Sequence, residues 1–195
     1  ETLESEEPIR GLEFTTEETK ILQNYQFLTA KPLMVVWNID EGTLDNTDTL
    51  ELELRERYGS ENLQVAVLCG KIEVELAAME LEDEIAFRES LGIQESGLTR
   101  MITLSSNLLG LMTFLTAGPQ EIRAWTIPQN IAAVDAAGKI HTDIKRGFIR
   151  AEVVHFSDLD RCGSFAEAKK QGVLRLEGKT YLVQDGDVIT FRFNI

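Results

Sequence analysis

Residues 33–41 read Leu-Met-Val-Val-Trp-Asn-Ile-Asp-Glu, and this stretch decides the fold of the first part of the 195-residue chain. The five consecutive apolar residues 33–37 predict a strand that is buried on both faces of a parallel sheet. A charged amphipathic helix is predicted over residues 47–58, and a second apolar run covers residues 63–68. Strand, helix and strand within about 35 residues are typical of a βαβ unit. On this pattern residues 1–70 belong to an α/β domain.

Helices are predicted on both sides of this unit. Thr15 and Glu18 have the spacing of a capping box, and the apolar residues that follow predict a helix that reaches Phe27. Two more helices are predicted over residues 73–91 and 99–112.

A second part of the chain begins after Gly118-Pro119, where short strands and turns replace the long helices. Asp185-Gly186 is a strong turn signal before the last strand. A small mixed sheet crossed by short helices, in about 80 residues, indicates an α+β module. Its predicted elements are strands over residues 121–127, 148–156 and 188–193, a hairpin that joins residues 174–176 to 181–183, and helices over residues 132–140 and 164–171.

The composition is that of a globular protein whose charge is unevenly distributed. The chain is 43% hydrophobic and carries 33 acidic and 19 basic side chains, for a formal net charge of -14. Residues 1–110 hold 23 of the acids and 8 of the bases, whereas residues 111–195 are close to neutral. This break in charge supports a division into two domains.

Neither a membrane segment nor a metal site is predicted. No apolar run approaches the ~20 residues needed to span a bilayer, and the acidic segment 1–7 is unlike a signal peptide. Cys69 and Cys162 lack metal-binding or disulfide spacing and are predicted to be free thiols in a reducing compartment. We therefore expect a cytoplasmic protein without membrane contact.

The residues after the first predicted strand carry the clearest chemical signal. Asn38-Ile-Asp-Glu41 resembles the base-recognition motif of P-loop nucleotide hydrolases, Asn-Lys-x-Asp, with Glu in the fourth position. In the usual motif the Asp carboxylate accepts two hydrogen bonds from guanine, one from the ring N–H and one from the exocyclic amine. Taken alone, these four residues also fit a turn that closes a strand.

The Asn-x-x-Glu form of this motif is the signature of the YchF family, also called the Obg-like ATPases, in which it accompanies a preference for ATP. The resemblance implies that Asn38 hydrogen-bonds the base, that Ile39 lies along the ring, and that Glu41 occupies the discriminating position.

Leu68-Cys-Gly-Lys-Ile-Glu73 lies where the same family has its second base-binding loop. The resemblance implies that the backbone of Cys69 and Gly70 and the side-chain stem of Lys71 meet the base. Gly70 departs from the usual Ala, which leaves the loop less constrained.

The rest of the chain resembles the same family over a much longer stretch. Its C-terminal TGS domain, a ubiquitin-like β-grasp module, is similar to residues 114–127, 137–143, 147–151 and 183–194. The resemblance implies an α/β fold followed by an α+β fold. The implied domains are the C-terminal part of an Obg-type P-loop G domain over residues 1–90, a connecting helix over 91–109 and the TGS domain over 110–195.

The phosphate-binding loop of such hydrolases, Gly-x-x-x-x-Gly-Lys-Ser/Thr, does not occur in these 195 residues. Asp135-Ala-Ala-Gly138 has the spacing of a switch segment but lies in the second part of the chain. The resemblance therefore implies the C-terminal half of a longer hydrolase that binds ATP, and GTP more weakly, with Mg²⁺ whose ligands are absent from this chain. The chain by itself is expected to be inactive in hydrolysis.

The partner that the family implies is the ribosome or RNA, and a monomer is expected. Two interpretations stay open for the basic side chains of the second part, scattered surface charge or an RNA-facing patch. The patch would comprise Lys139, Lys145, Arg146, Arg150, Lys169 and Lys170. The alternative function is a non-catalytic module that binds RNA or protein through the TGS domain.

No catalytic residue is predicted in this chain, and neither histidine has a nucleophile motif beside it. His155 is predicted at a sheet position. His141 is predicted at a helix end, where its ring N–H would meet free carbonyl groups.

Overall fold

The computed structural model describes residues 4–118 and 121–194, which form two compact units. The first unit is Glu1–Leu109 and the second is Gly110–Ile195. Pro119, half of the predicted Gly118-Pro119 boundary, lies outside the described residues, as do the first three residues of the acidic segment 1–7.

The first unit is built on two parallel strands joined by a helix. Strands β1 and β2 pair in parallel from Leu33 opposite Leu63 to Asn38 opposite Leu68, which confirms the predicted βαβ pattern. The described elements of this unit are α1 Thr16–Tyr25, β1 Leu33–Asn38, α2 Thr47–Tyr58, β2 Leu63–Leu68, α3 Gly70–Ala77, α4 Leu81–Ser90 and α5 Gly97–Leu108.

The burial of the two strands differs, and the prediction that residues 33–37 are buried on both faces is wrong. Val65 and Val67 of β2 are almost fully buried because α2 and α5 pack on that strand. Val36 and Trp37 of β1 remain 42% and 48% exposed. An apolar run predicts a strand, but burial requires neighbours on both sides, and within the described residues β1 pairs with β2 alone.

Three predicted helices end or divide elsewhere than expected. The capping box of Thr15 and Glu18 is present, but the first helix ends at Tyr25 because Gln26 takes a left-handed conformation. The acidic segment 73–91 forms two helices, α3 and α4, and α3 already begins at Gly70.

The helix predicted over residues 99–112 is α5, which ends at Leu108 and packs on β1 and β2 within the first unit. Gly110 then adopts a positive φ of 61°. Such a conformation favours glycine and redirects the backbone. Met112 therefore lies in a strand and not in the helix.

The second unit contains a mixed five-stranded sheet in the order β4-β3-β7-β5-β6. Strand β3 pairs in parallel with β7, and the other neighbouring strands are antiparallel. The described elements are β3 Leu111–Ala117, β4 Ile122–Pro128, α6 Ala133–Ile140, α7 Thr142–Arg146, β5 Phe148–His155, α8 Phe156–Cys162, α9 Phe165–Lys170, β6 Arg175–Glu177 and β7 Asp187–Phe193.

The predicted hairpin of residues 174–176 and 181–183 is wrong. Strand β6 pairs with β5 instead, and Leu182 makes an isolated bridge to Ala132. The strand β3 and the short helices α7 and α8 were not predicted. Their partners are distant in sequence, so a local pattern of turn and alternation does not specify them.

The two faces of this sheet carry separate apolar clusters. Phe114, Ala151 and Ile189 pack with α6 in the larger cluster. Val154 and Val188, which alternate with those residues along β5 and β7, pack with Ala168 of α9. Because side chains alternate between the faces of a strand, α6 and α9 lie on opposite faces of the sheet.

Candidate functional site

The carboxyl ends of β1 and β2 bring the two predicted base-binding loops together. The Ile39 N–H donates to the Leu68 carbonyl over 2.9 Å and extends the parallel ladder by one bond. The Asn38 side-chain Oδ1 then accepts a hydrogen bond of 2.9 Å from the Gly70 N–H. Loops that are 32 residues apart in sequence are thus joined at the end of the sheet where ligands of α/β folds bind.

The contact between Asn38 and Gly70 follows from how α3 begins. Gly70 is the first residue of α3, and its N–H has no acceptor within the helix because the first backbone donors of any helix lack one. The N-cap residue, Cys69, makes no side-chain capping bond. Asn38 therefore supplies an acceptor from the neighbouring strand. A Cβ at Gly70 would lie 3.2 Å from Asn38 Oδ1, closer than an ordinary contact.

Glu41 and Lys71 form a second bridge between the same loops. Lys71 Nζ lies 2.8 Å from Glu41 Oε1, and the two side chains are 62% and 46% exposed. The hydrogen bond to Glu41 and its negative charge raise the pKa of Lys71 above its usual value. The pair therefore places a positive and a negative side chain in direct contact between the two loops.

The side chains of Ile39 and Cys69 belong to the apolar interior of the unit. Cys69 is 4% exposed and clusters with Ile72 and Leu76 of α3, and Ile39 packs against this cluster. Only the backbone of Cys69 is left to meet a ligand. The placement of Ile39 along a base ring stays a prediction.

A polar cavity of about 490 Å³ lies on the α2 and α5 side of this region. Cys69 lines it, but Asn38, Glu41 and Lys71 do not. Its wall includes Arg100, which belongs to an ionic network around one buried acid.

The network is centred on Glu51, a residue that sequence reasoning missed. Glu51 is 5% exposed; its carboxylate accepts from the Val67 N–H over 2.9 Å and forms ion pairs with Arg55, at 2.8 Å, and with Arg100. These contacts hold α2 and α5 against β2. The signal was present in the sequence, because Glu51 lies three residues before Leu54 and therefore on the same helical face.

The six basic residues predicted to face RNA do not lie on one surface. Lys139, Lys145 and Arg146 are on α6 and α7, whereas Lys169 and Lys170 are on α9, across the sheet. All six are exposed.

Three of these six side chains have acidic neighbours. Lys145 pairs with Asp135 at 2.7 Å, Arg146 with Asp143 at 2.8 Å and Lys170 with Glu167 at 3.3 Å. Among the described residues, Lys139, Arg150 and Lys169 have no ion-pair partner. A single continuous basic patch is therefore absent from the described surface.

Both histidines cap helices through a ring nitrogen. His141 Nδ1 accepts from the Asp143 N–H over 3.1 Å, and His155 Nδ1 accepts from the Ser157 N–H over 3.3 Å. The prediction that the His141 ring donates to free carbonyls is wrong, because the ring caps the start of α7 and acts as the acceptor. His155 ends β5 and begins α8.

A second buried acid, Asp187, is the first residue of β7 and accepts hydrogen bonds from the segment before that strand. Its carboxylate accepts from the Tyr181 hydroxyl over 2.7 Å and from the Gln184 N–H over 2.9 Å. Arg175 lies 3.4 Å from the same carboxylate. Burial and the bond to Asp187 raise the pKa of Tyr181 to about 12.

Residues 4–118 and 121–194 contain no group of three or more His, Cys, Asp or Glu side chains placed to hold a metal ion. In that part of the chain no helix is both long and apolar enough to cross a membrane.

Comparison with known proteins connects both units to one family. Residues 111–194 match a family model named YchF-GTPase_C and described as "Protein of unknown function (DUF933)". The "Ribosome-binding ATPase YchF" of Bacillus subtilis (strain 168) is 49% identical over 197 residues, which cover 100% of this chain and 54% of that protein. The protein of the same name from Pasteurella multocida is 43% identical over 193 residues, covering 99% and 53%. The chain spans about half the length of these relatives.

Solved structures agree with this match. The structure described as the Schizosaccharomyces pombe YchF GTPase superposes with a TM-score of 0.77 at 27% identity, over 97% of this chain and 50% of that one. A GTP-binding protein from Pyrococcus horikoshii gives a TM-score of 0.56 at 17% identity, over 84% and 46%. The second match concerns the fold alone.

Proposed function

This chain belongs to the YchF family and corresponds to the C-terminal part of its proteins, and on that premise we propose a function for it. The chain carries the base-recognition loops of a nucleotide-binding protein that prefers ATP to GTP. The observation that carries the proposal is the hydrogen bond from the Gly70 N–H to Asn38 Oδ1. It draws the two loops into one site at the carboxyl ends of β1 and β2.

The chemistry of Asn38 suits recognition of a purine. Its Oδ1 is already engaged by Gly70, so its Nδ2 amide hydrogens are the groups left to donate. Ring nitrogen N7 is an acceptor in both adenine and guanine. Asn38 therefore binds either purine, and the choice between them falls to Glu41.

The remaining parts of the nucleotide site lie outside these residues in our proposal. The chain has no phosphate-binding loop, and its described acids form no cluster that fits Mg²⁺. Phosphoryl transfer depends on both. We assign the phosphates and Mg²⁺ to the rest of the longer protein, the first unit to part of an Obg-type G domain and the second to a TGS β-grasp domain. The chain alone is proposed to be inactive in hydrolysis.

The test is calorimetric titration of the full-length protein with non-hydrolysable ATP and GTP analogues. We expect tighter binding of the ATP analogue, and we expect Asn38→Ala to weaken both by about tenfold, the value of a lost hydrogen bond of about 1.4 kcal/mol. Asn46→Ala, an exposed change in the same loop, is the matched control. Equal affinity for the two analogues, or tighter binding of the GTP analogue, would overturn the proposal.

A second candidate function is ribosome or RNA binding by the second unit. The names of the relatives support a ribosomal partner, and Arg150 is an exposed cation without an ion-pair partner in the described surface. RNA binding through phosphate contacts weakens steeply with salt. Arg150→Ala should reduce the salt slope by about one, whereas Lys170→Ala, which removes a cation already paired with Glu167, should change it less. A flat salt response favours a protein partner.

A further inference from the structure

The ion pair of Glu41 and Lys71 involves the residue that is proposed to discriminate between bases. The pair joins the discriminating acid of one loop to the second residue of α3 in the other loop, over 2.8 Å. Asp40 and Glu75 lie near enough to add to the negative field at Lys71. Among the described residues, the ion-pair partner of Lys71 is Glu41.

This contact matters because guanine and adenine make different demands on a carboxylate. Guanine offers two adjacent donors, its ring N–H and its exocyclic amine, and the two oxygens of an acid each accept a hydrogen bond from one of them. Oε1 of Glu41 already accepts from Lys71. Lys71 therefore takes up one acceptor position and part of the charge of Oε1, and guanine must compete with Lys71 for this oxygen. Adenine lacks the donor pair and does not compete for it.

We propose that Lys71 is a positioning residue that sets the base preference of the site by occupying Glu41. This inference rests on the proposed nucleotide function and adds to it the residue that competes with guanine for the carboxylate. Lys71 acts through Glu41 and needs no contact of its own with the base.

The alternative is a purely structural bridge that holds the two loops together. A bridge of that kind would affect ATP and GTP binding to the same extent, since both nucleotides use the same loops. The proposed role changes the ratio of the two affinities. The ratio is therefore the quantity to measure.

The experiment uses the full-length protein with Mg²⁺ and compares dissociation constants for ATP and GTP analogues by competition with a fluorescent nucleotide. In Lys71→Met we expect the preference for ATP to fall by about two- to fivefold, the range that an exposed ion pair supplies. Lys71→Arg keeps a cation at Glu41 and should restore the wild-type ratio. In a Glu41→Gln background, Lys71→Met should leave the ratio unchanged.

Two results would overturn the inference while leaving the proposed function intact. One is an unchanged ratio in Lys71→Met in a protein that binds ATP more tightly than GTP. The other is an equal change of the ratio with and without Glu41→Gln. A wild-type protein without ATP preference is a different outcome, because it contradicts the proposed function itself.

Discussion

Glu51 shows how a single buried side chain supports the candidate site. It joins α2, β2 and α5 through one carboxylate, and β2 ends next to the loop that carries Gly70. Removing one member of a buried ion pair costs about 3–5 kcal/mol when the partner charge stays buried. Arg55 and Arg100 retain exposed fractions of 43% and 26%, so water compensates part of that loss.

We expect Glu51→Gln to lower the free energy of unfolding of the first unit by about 2 kcal/mol, less than for a fully buried partner. Urea titration measures it as a lower midpoint with an unchanged slope. Glu53→Gln, an exposed change on the same helix, should shift the midpoint little. If the two variants unfold at the same midpoint, the network does not stabilise the unit.

Tyr181 is expected to make the stability of the second unit depend on pH, and the environment of its hydroxyl group sets the direction of this dependence. Its pKa in the folded protein is raised to about 12, above the ordinary value for tyrosine, 10.0. The folded state thus binds the phenol proton more tightly than the unfolded state. The stabilisation is complete below about pH 10 and is lost as the pH rises through about 12.

The prediction is a decline in the stability of the second unit above about pH 10, measured by urea unfolding at a series of pH values. Tyr181→Phe should make this decline shallower, although it also lowers stability at neutral pH by leaving Asp187 with one donor fewer. Tyr58→Phe, in the first unit, is the control. An identical decline in Tyr181→Phe would assign the effect to another group.

At the scale of the elements, helix α1 is stabilised by its N-terminal capping box more than by packing against a core. It has no buried residue, whereas its capping box places Thr15 and Glu18 in reciprocal hydrogen bonds of 2.8 and 3.3 Å. Loss of such a cap costs about 1 kcal/mol. Because α1 has no buried face, loss of the cap destabilises the helix itself and leaves the rest of the unit unaffected.

Thr15→Ala should therefore fray α1 while the unfolding midpoint of the chain stays unchanged. Amide hydrogen exchange over residues 16–25 should accelerate about fivefold, the factor that corresponds to about 1 kcal/mol. Thr16→Ala, the next residue and outside the cap, is the control. Equal protection in the two variants would mean that contacts other than the cap hold the helix.

For the molecule as a whole, each unit buries its own apolar residues and carries one tryptophan. Trp37 lies in the first unit, and Trp125 packs against the larger cluster of the second. We expect two separable unfolding transitions. In a Trp37→Phe variant, fluorescence should follow the second unit alone, and addition of Glu51→Gln should leave that transition in place. A shift of the Trp125 transition on adding Glu51→Gln would contradict independent unfolding.

Sequence patterns located the regular elements wherever local geometry is sufficient. The βαβ unit around residues 33–68, the capping box at Thr15 and the Asp185-Gly186 turn all follow from spacing within a few residues. The resemblance of Asn38-Ile-Asp-Glu41 selected the candidate site and the family. These features depend on short-range periodicity and side-chain type, which a sequence displays directly.

Long-range packing settled what those patterns leave open. The exposure of Trp37, the pairing of β6 with β5 and the division of the basic residues between two faces each depend on segments distant in sequence. The bonds from Gly70 to Asn38 and from Lys71 to Glu41 are of the same kind. The residue types at the candidate site are local information, whereas their hydrogen bonds and ion pairs exist only because two parallel strands end side by side.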